Sequence, residues 1–136
     1  MLCLDSNVII GILNGRKPIL RRRFEEERIA ESRLALSVVA LSELRYGAAN
    51  SERPEQNRRA LEELLEAGIE ILNFDADDAA EAGAIRAHLR RAGTPIGPYD
   101  LLIAAQARRR GAGLVTSNVG EFSRVPDLIV TDWAAP

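Results

Sequence analysis

Apolar residues fall in two alternating rhythms along this chain. Short runs of strand length, Leu2–Leu4, Leu34–Leu36, Ile69–Leu72, Leu114–Thr116 and Ile129–Thr131, are separated by stretches whose apolar positions recur every three or four residues. Val8, Ile12 and Leu13 give one face of a first helix, and Ile19, Leu20 and Phe24 begin a second, highly charged one. Val38, Leu41 and Leu44 mark a third helix, and Leu61, Leu64 and Leu65 a fourth, announced by Ser51 and Pro54. Ala82, Ile85 and Leu89 mark a fifth, and Leu101, Leu102 and Ala105 a sixth. Strand and helix in alternation predict an α/β sandwich, a parallel sheet covered by helices on both faces. The run Arg21–Arg28 reads as helical, because its charges sit at spacings that allow i,i+3 and i,i+4 pairs. No internal repeat or low-complexity linker divides the chain.

Composition narrows the class. A length of 136 residues fits one domain spanning 1–136, and 46% hydrophobic with 28% charged residues excludes disordered and fibrous classes. Basic and acidic residues number 18 and 20, so nucleic acid cannot be held through bulk charge, although a local basic patch is compatible with this balance. Lys17 stands alone beside seventeen arginines, the residue that grips phosphate with a two-pronged fork. Cys3 has no partner for an internal disulfide, which fits a reducing cytosol. No apolar run approaches the roughly 18 residues that span a bilayer. The start, Met1-Leu2-Cys3-Leu4-Asp5, lacks a basic region and carries an acid, which argues against a signal peptide. The expectation is a soluble, cytoplasmic chain with no membrane partner.

The acids fall at suggestive places. Asp5 directly follows the first strand, Glu43 lies early on the third helix, and Asp100 opens the sixth. Asn118 and Glu121 follow the fourth strand. Open α/β sheets bind ligands beyond the carboxyl ends of their strands, where the strand order reverses, and all five positions fit that edge. Gathered carboxylates repel and take up protons, whereas Mg²⁺ or Mn²⁺ favours the ionised cluster. The matching chemistry is metal-assisted phosphodiester hydrolysis. Each residue also has a structural reading. Asp5 fits an N-cap as well as it fits a ligand, and Asp100 suits a helix start. Glu43 sits among Ala40, Leu41 and Leu44, where an unpaired acid is costly. Asn118 reads as a cap or turn residue, and Glu121 as a surface charge.

The ordered set of motifs is similar to the PIN-domain ribonucleases, specifically the VapC-type toxins of toxin–antitoxin pairs. The residues that carry the resemblance are Leu4-Asp5-Ser6-Asn7-Val8-Ile9-Ile10, Ser42-Glu43-Leu44-Arg45-Tyr46-Gly47 and Gly93-Thr94-Pro95-Ile96-Gly97. Asp100-Leu101-Leu102-Ile103-Ala104-Ala105-Gln106-Ala107, Val115-Thr116-Ser117-Asn118 and Thr131-Asp132-Trp133 complete the set, which covers essentially the whole chain. The resemblance implies a PIN-like three-layer sandwich with a mostly parallel sheet of four to five strands. It puts the catalytic, metal-binding acids on Asp5, Glu43 and Asp100. The fourth acidic position falls on Asn118, an amide, with Glu121 as the residue to supply the missing charge and Thr116 as a supporting hydroxyl.

What the resemblance implies functionally is a Mg²⁺-dependent endoribonuclease, with Mn²⁺ as the other candidate ion. Its substrate would be cellular RNA, such as transfer or ribosomal RNA. It would be held off by a cognate VapB-like antitoxin and would form a homodimer. The face of the second helix, Ile19, Leu20 and Phe24, fits either a partner peptide or the sheet. Candidate phosphate contacts are Arg16, Arg21–Arg23, Arg45, Arg86, Arg90–Arg91 and Arg108–Arg110, with a helix-ending structural role favoured for the last group. His88, far from the acid motifs, fits a surface position better than a general base. Two other classes compete. A degenerate PIN domain that binds RNA or a partner without cutting is favoured only by Asn118. A phosphotransferase with an aspartyl nucleophile at Asp5 lacks its second Asp, because Asn7 stands there.

Overall fold

The computed structural model describes residues 1–136. In chain order the elements are β1 (Leu2–Leu4), α1 (Ser6–Asn14), α2 (Pro18–Ile29), β2 (Leu34–Ser37), α3 (Val38–Ala49) and α4 (Pro54–Glu66). They continue with β3 (Ile69–Leu72), α5 (Ala76–Ala92), α6 (Pro98–Arg109), β4 (Gly113–Val115), α7 (Val119–Phe122) and β5 (Ile129–Thr131). All five strands and six of the helices stand where the periodicity puts them. Three strand ends shift by one residue: β2 runs on through Ser37, β4 stops at Val115, and β4 begins at Gly113. The second shift matters, because it leaves Thr116 just past the strand. The seventh helix is a single turn, too short to show a helical period in sequence.

The five strands form one parallel sheet in the order β3-β2-β1-β4-β5. The path steps from β1 outward to β3, then crosses back to β4 and β5. Right-handed crossovers therefore put the two sets of connecting helices on opposite faces. Strand order reverses at β1, between β2 and β4, so the crevice beyond the carboxyl ends of β1 and β4 is where this topology builds a site. The backbone extends that edge: Asp5 N–H donates to Val115 O at 2.9 Å, and Thr116 N–H to Thr131 O at 2.9 Å.

The core is one cluster of 30 buried apolar residues. β2 is buried at every position, as expected of a central parallel strand covered on both faces. Leu20 and Phe24 of α2 belong to this core, with Phe24 fully buried and Ile19 half-buried. The apolar face of α2 is therefore interior packing and not a surface for a partner. Its seat depends on Gly11 of α1, where a Cβ would collide with Leu20 Cδ1. No helix is long and apolar enough to cross a membrane.

α5 and α6 are locked by charge. Asp75 and Asp78 form a capping box at the start of α5, each carboxylate accepting from the other's backbone N–H, at 2.8 and 3.0 Å. Asp78, fully buried, also accepts from Arg109 Nε at 2.6 Å and Arg110 Nη1 at 2.8 Å. Arg108 pairs with Glu81 of α5, its Nε donating at 2.8 Å. The three arginines that close α6 are thus committed within the fold, in keeping with their helix-ending position.

Candidate active site

Asp5 sits at the switch point because β1 ends at Leu4 and α1 begins at Ser6. One carboxylate oxygen, Oδ1, accepts from Ser6 N–H at 2.8 Å, so Asp5 does cap α1. Its other oxygen, Oδ2, accepts from the Thr116 hydroxyl at 2.8 Å, across the β1–β4 seam. Thr116 Oγ1 in turn accepts from Asn118 N–H at 3.0 Å. Asn118 stands at the N-terminus of the short helix α7, where its side chain makes no capping bond and instead turns its Nδ2 onto Glu121 Oε2 at 2.8 Å. Glu121 Oε1 receives the N–H of Gly97, ahead of α6, at 2.6 Å. A continuous chain of hydrogen bonds therefore runs Asp5–Thr116–Asn118–Glu121–Gly97, joining the ends of β1 and β4 to the start of α6.

Asp100 enters from the first turn of α6, and its Oδ2 and Glu121 Oε1 both flank the space over the Gly97 Cα. Glu43 arrives on α3, whose Ala40 and Leu44 are buried and which packs against α6. Its Oε1 is buried without a hydrogen-bond partner.

These carboxyls feel one another. Burial pushes the Asp5 carboxyl up against the opposing pull of Thr116 and Ser6, and the Glu121 charge adds to the rise. Burial likewise raises Glu43, with the charge of Asp5 adding to it. Asp100 is pushed up to about 6, first by burial and then by the charges of Asp5, Glu121 and Glu43. Glu121 is the exception: the Gly97 N–H and the Asn118 amide hold it below the usual range, so it keeps its charge. A group with one firmly ionised member and three that resist ionisation for want of positive charge is a place suited to a cation.

A family model described as PIN domain matches residues 2–128. The chain belongs to the PIN domain family. A tRNA(fMet)-specific endonuclease VapC of Salmonella typhimurium is 40% identical over 130 residues, covering 96% of each chain. Ribonuclease VapC2 of Rickettsia felis is 36% identical over 130 residues, again 96% of each. Among solved structures, VapBC2 from Rickettsia felis bound to a DNA fragment from their promoter matches with a TM-score of 0.90 at 34% identity. That match covers 97% of this chain and 98% of the other. DNA-bound VapBC from Salmonella typhimurium matches with a TM-score of 0.89 at 39% identity, covering 97% of each. This chain is a PIN domain of the VapC type.

Within this PIN domain the donor set suits a hard divalent ion. Carboxylate oxygens are what Mg²⁺ and Mn²⁺ take, and the unpartnered, buried Glu43 Oε1 is an acceptor that no protein donor satisfies. No three Asp, Glu, His or Cys side chains stand close enough together to hold a metal ion among them. Mg²⁺ does not ask for three, because it keeps several waters and takes one or two carboxylates.

The structure brings Asp5, Thr116, Asn118, Glu121, Asp100 and Glu43 to one edge. It places Arg45 elsewhere, paired with Glu62 of α4 at 3.4 Å, so Arg45 is not a free phosphate contact. Arg22 and Arg23 lie near Glu26, and Arg23 also faces the Trp133 ring at 6.0 Å. His88 is exposed. Sequence reasoning missed the Gly97 N–H. Backbone donors leave no mark in residue type, and only the short reach from a Gly-Pro helix start to α7 reveals it.

Proposed function

We propose that this PIN domain is a metal-dependent endoribonuclease, the toxin of a toxin–antitoxin pair, with Asp5 and Asp100 holding Mg²⁺ or Mn²⁺ and Glu43 as the third acid of the site. The observation that carries this reading is the meeting of Asp5 and Asp100 with Glu43, whose buried Oε1 has no donor, at the carboxyl edge of the sheet. When bound, the ion lowers the pKa of water and stabilises charge on the leaving oxygen of a phosphodiester. Thr116 fixes the rotamer of Asp5, and Asn118 and Gly97 fix that of Glu121, which supplies the charge that Asn118 lacks. The name of the Salmonella relative makes tRNA the first RNA to test.

The test is cleavage of tRNA by the purified chain across pH, with and without metal. Chelation is expected to stop cutting, and Mg²⁺ or Mn²⁺ to restore it. At Mg²⁺ well below saturation, activity is expected to climb as pH passes about 6, because the proton on Asp100 competes with the ion, and excess Mg²⁺ should move the climb to lower pH. Metal-free stability should move the other way. An acid raised on folding contributes stability that is complete below its unfolded pKa and lost as pH rises through the folded value. Added Mg²⁺ should cancel that loss by binding the folded form. Cutting that persists in excess chelator would overturn the reading.

The partner we infer is a VapB-like antitoxin, seated in the groove between α1, α3 and α4. This cavity of about 330 Å³ is lined by Ile10, Leu13, Leu44 and Leu61, and Glu43 stands at its border. A segment lying here reaches the acids directly, and Ile10 remains 47% exposed to receive it. Ile10→Glu puts a charge into that apolar contact and is expected to weaken antitoxin binding about 30-fold, a loss of about 2 kcal/mol. Cleavage of tRNA by the free variant should be unchanged. Calorimetric titration giving wild-type affinity would remove the groove as the docking surface.

A further inference from the structure

Two arginines that enter no ion pair in the fold stand on α5, which packs against α6, the helix that carries Asp100. Arg86 and Arg90 are four residues apart on one helical face and both are exposed. No carboxylate engages either guanidinium, in contrast to Arg108, Arg109 and Arg110, which are all tied to acids. The two arginines stand over a cavity of about 380 Å³ whose floor is apolar: Leu89, Pro95, Ile96 and Leu101, with Pro98 at its end. That volume lies within the roughly 300–1,000 Å³ of ordinary ligand pockets. The cavity opens along the segment that leads to the acids, because Pro98 and Leu101 bracket Asp100 in the first turn of α6. A third guanidinium holds the segment from outside the cavity. Arg124 donates to Pro95 O at 2.9 Å from the far side of the same segment, close enough for its charge to act on Glu121.

We propose that this cavity seats a nucleotide of the RNA strand next to the scissile phosphate, with Arg86 and Arg90 on backbone phosphates and the base or ribose against the apolar floor. The proposal rests on the ribonuclease reading and extends it by naming where the substrate lies. Three features favour RNA over a protein partner. The forked guanidinium matches phosphate, the apolar floor accepts any base face, and the chain's net charge of −2 leaves phosphate binding to local clusters of this kind. The path also has a direction: strand leaving the acids toward α5 passes over Gly97 and Pro95, away from the apolar groove beside Glu43.

The test measures binding of a short fluorescently labelled single-stranded RNA by anisotropy, in chelator so that it is not cut, over a range of salt. R86A/R90A is expected to bind at least about tenfold more weakly at low salt, from the loss of two charge-assisted contacts. Its plot of log affinity against log salt should be shallower by about 1.4, at about 0.7 for each single-strand phosphate contact. R86K/R90K should recover the slope, and Arg59→Ala, an exposed arginine on α4, should match wild type. Unchanged slope and affinity in R86A/R90A would overturn the proposal and leave the ribonuclease reading standing. A changed slope together with cleavage that ignores chelation would overturn that reading and leave the RNA seat standing. Wild-type chain that binds no RNA would overturn both. If R86A/R90A loses antitoxin affinity while its RNA slope is unchanged, the face belongs to the protein partner and the proposal fails.

Discussion

Asp5→Asn is expected to lower tRNA cleavage at least about 100-fold, with no loss of stability. The two halves of this expectation separate the roles that the carboxylate can play. As an N-cap it accepts Ser6 N–H at 2.8 Å, and asparagine caps as well as aspartate does. Its shape is retained, and the Thr116 hydroxyl can rotate to donate to the amide oxygen or accept from the amide nitrogen. What disappears is the negative charge. A cation that supplies several kcal/mol of charge stabilisation loses part of its anchorage, and about 3 kcal/mol is roughly 100-fold in rate. Burial raises the Asp5 carboxyl, so the ionised form costs the metal-free fold something that the neutral amide does not. Thermal melts in chelator should therefore show the variant at least as stable as wild type. Asp100→Asn should behave the same way, and its activity should lose the rise near pH 6, because the group pushed up to about 6 is gone. If Asp5→Asn cuts tRNA at the wild-type rate, Asp5 is only a cap and the metal reading fails. If it no longer cuts but still arrests growth on induction, the chain acts by binding.

Much of this arrangement is legible in the residues. Apolar runs of three or four, separated by 3.6-residue patterns, give the sheet and six helices. Asp5 and Thr116 stand at the carboxyl ends of β1 and β4, the strands that meet at the reversal of strand order. The pairing of Asn118 with Glu121 follows from their three-residue spacing, which one helical turn brings onto one face. What escapes the sequence is partner choice among equivalent charges. Arg45 lies two residues from Glu43, yet it turns to Glu62, because neighbours two apart on a helix face different ways. The face of α2 carries the same apolar pattern that a docking helix has. Only the tertiary fit of Leu20 over Gly11 decides that it is core.

The largest effect on stability should come from a residue remote from the acids. Asp78→Ala is expected to destabilise the chain by about 3 kcal/mol or more, lowering the melting temperature by roughly 10 °C for a domain of this size. Asp78 is wholly buried, and burial alone would raise its carboxyl. The guanidinium groups of Arg110 and Arg109 overcome that and hold it well below the carboxylate range. Alanine leaves two part-buried cations facing the space where the anion was. It also removes half of the capping box, since Asp75 N–H loses its acceptor at 3.0 Å. Losing the cap alone costs about 1 kcal/mol, so a drop of that size would mean the ion pairs contribute nothing. The sign of the pH dependence follows. A carboxyl depressed on folding contributes stability that is present above its unfolded pKa of about 3.9 and is lost as pH falls toward the folded value. The wild-type advantage over Asp78→Ala should thus be flat across neutral pH and shrink in acid below about pH 4. Because α5 and α6 carry the arginine-lined cavity and Asp100, the same lock sets the register of one helix against the other. Asp78→Ala held well below its melting temperature should therefore weaken RNA binding, although Asp78 touches no part of the proposed site.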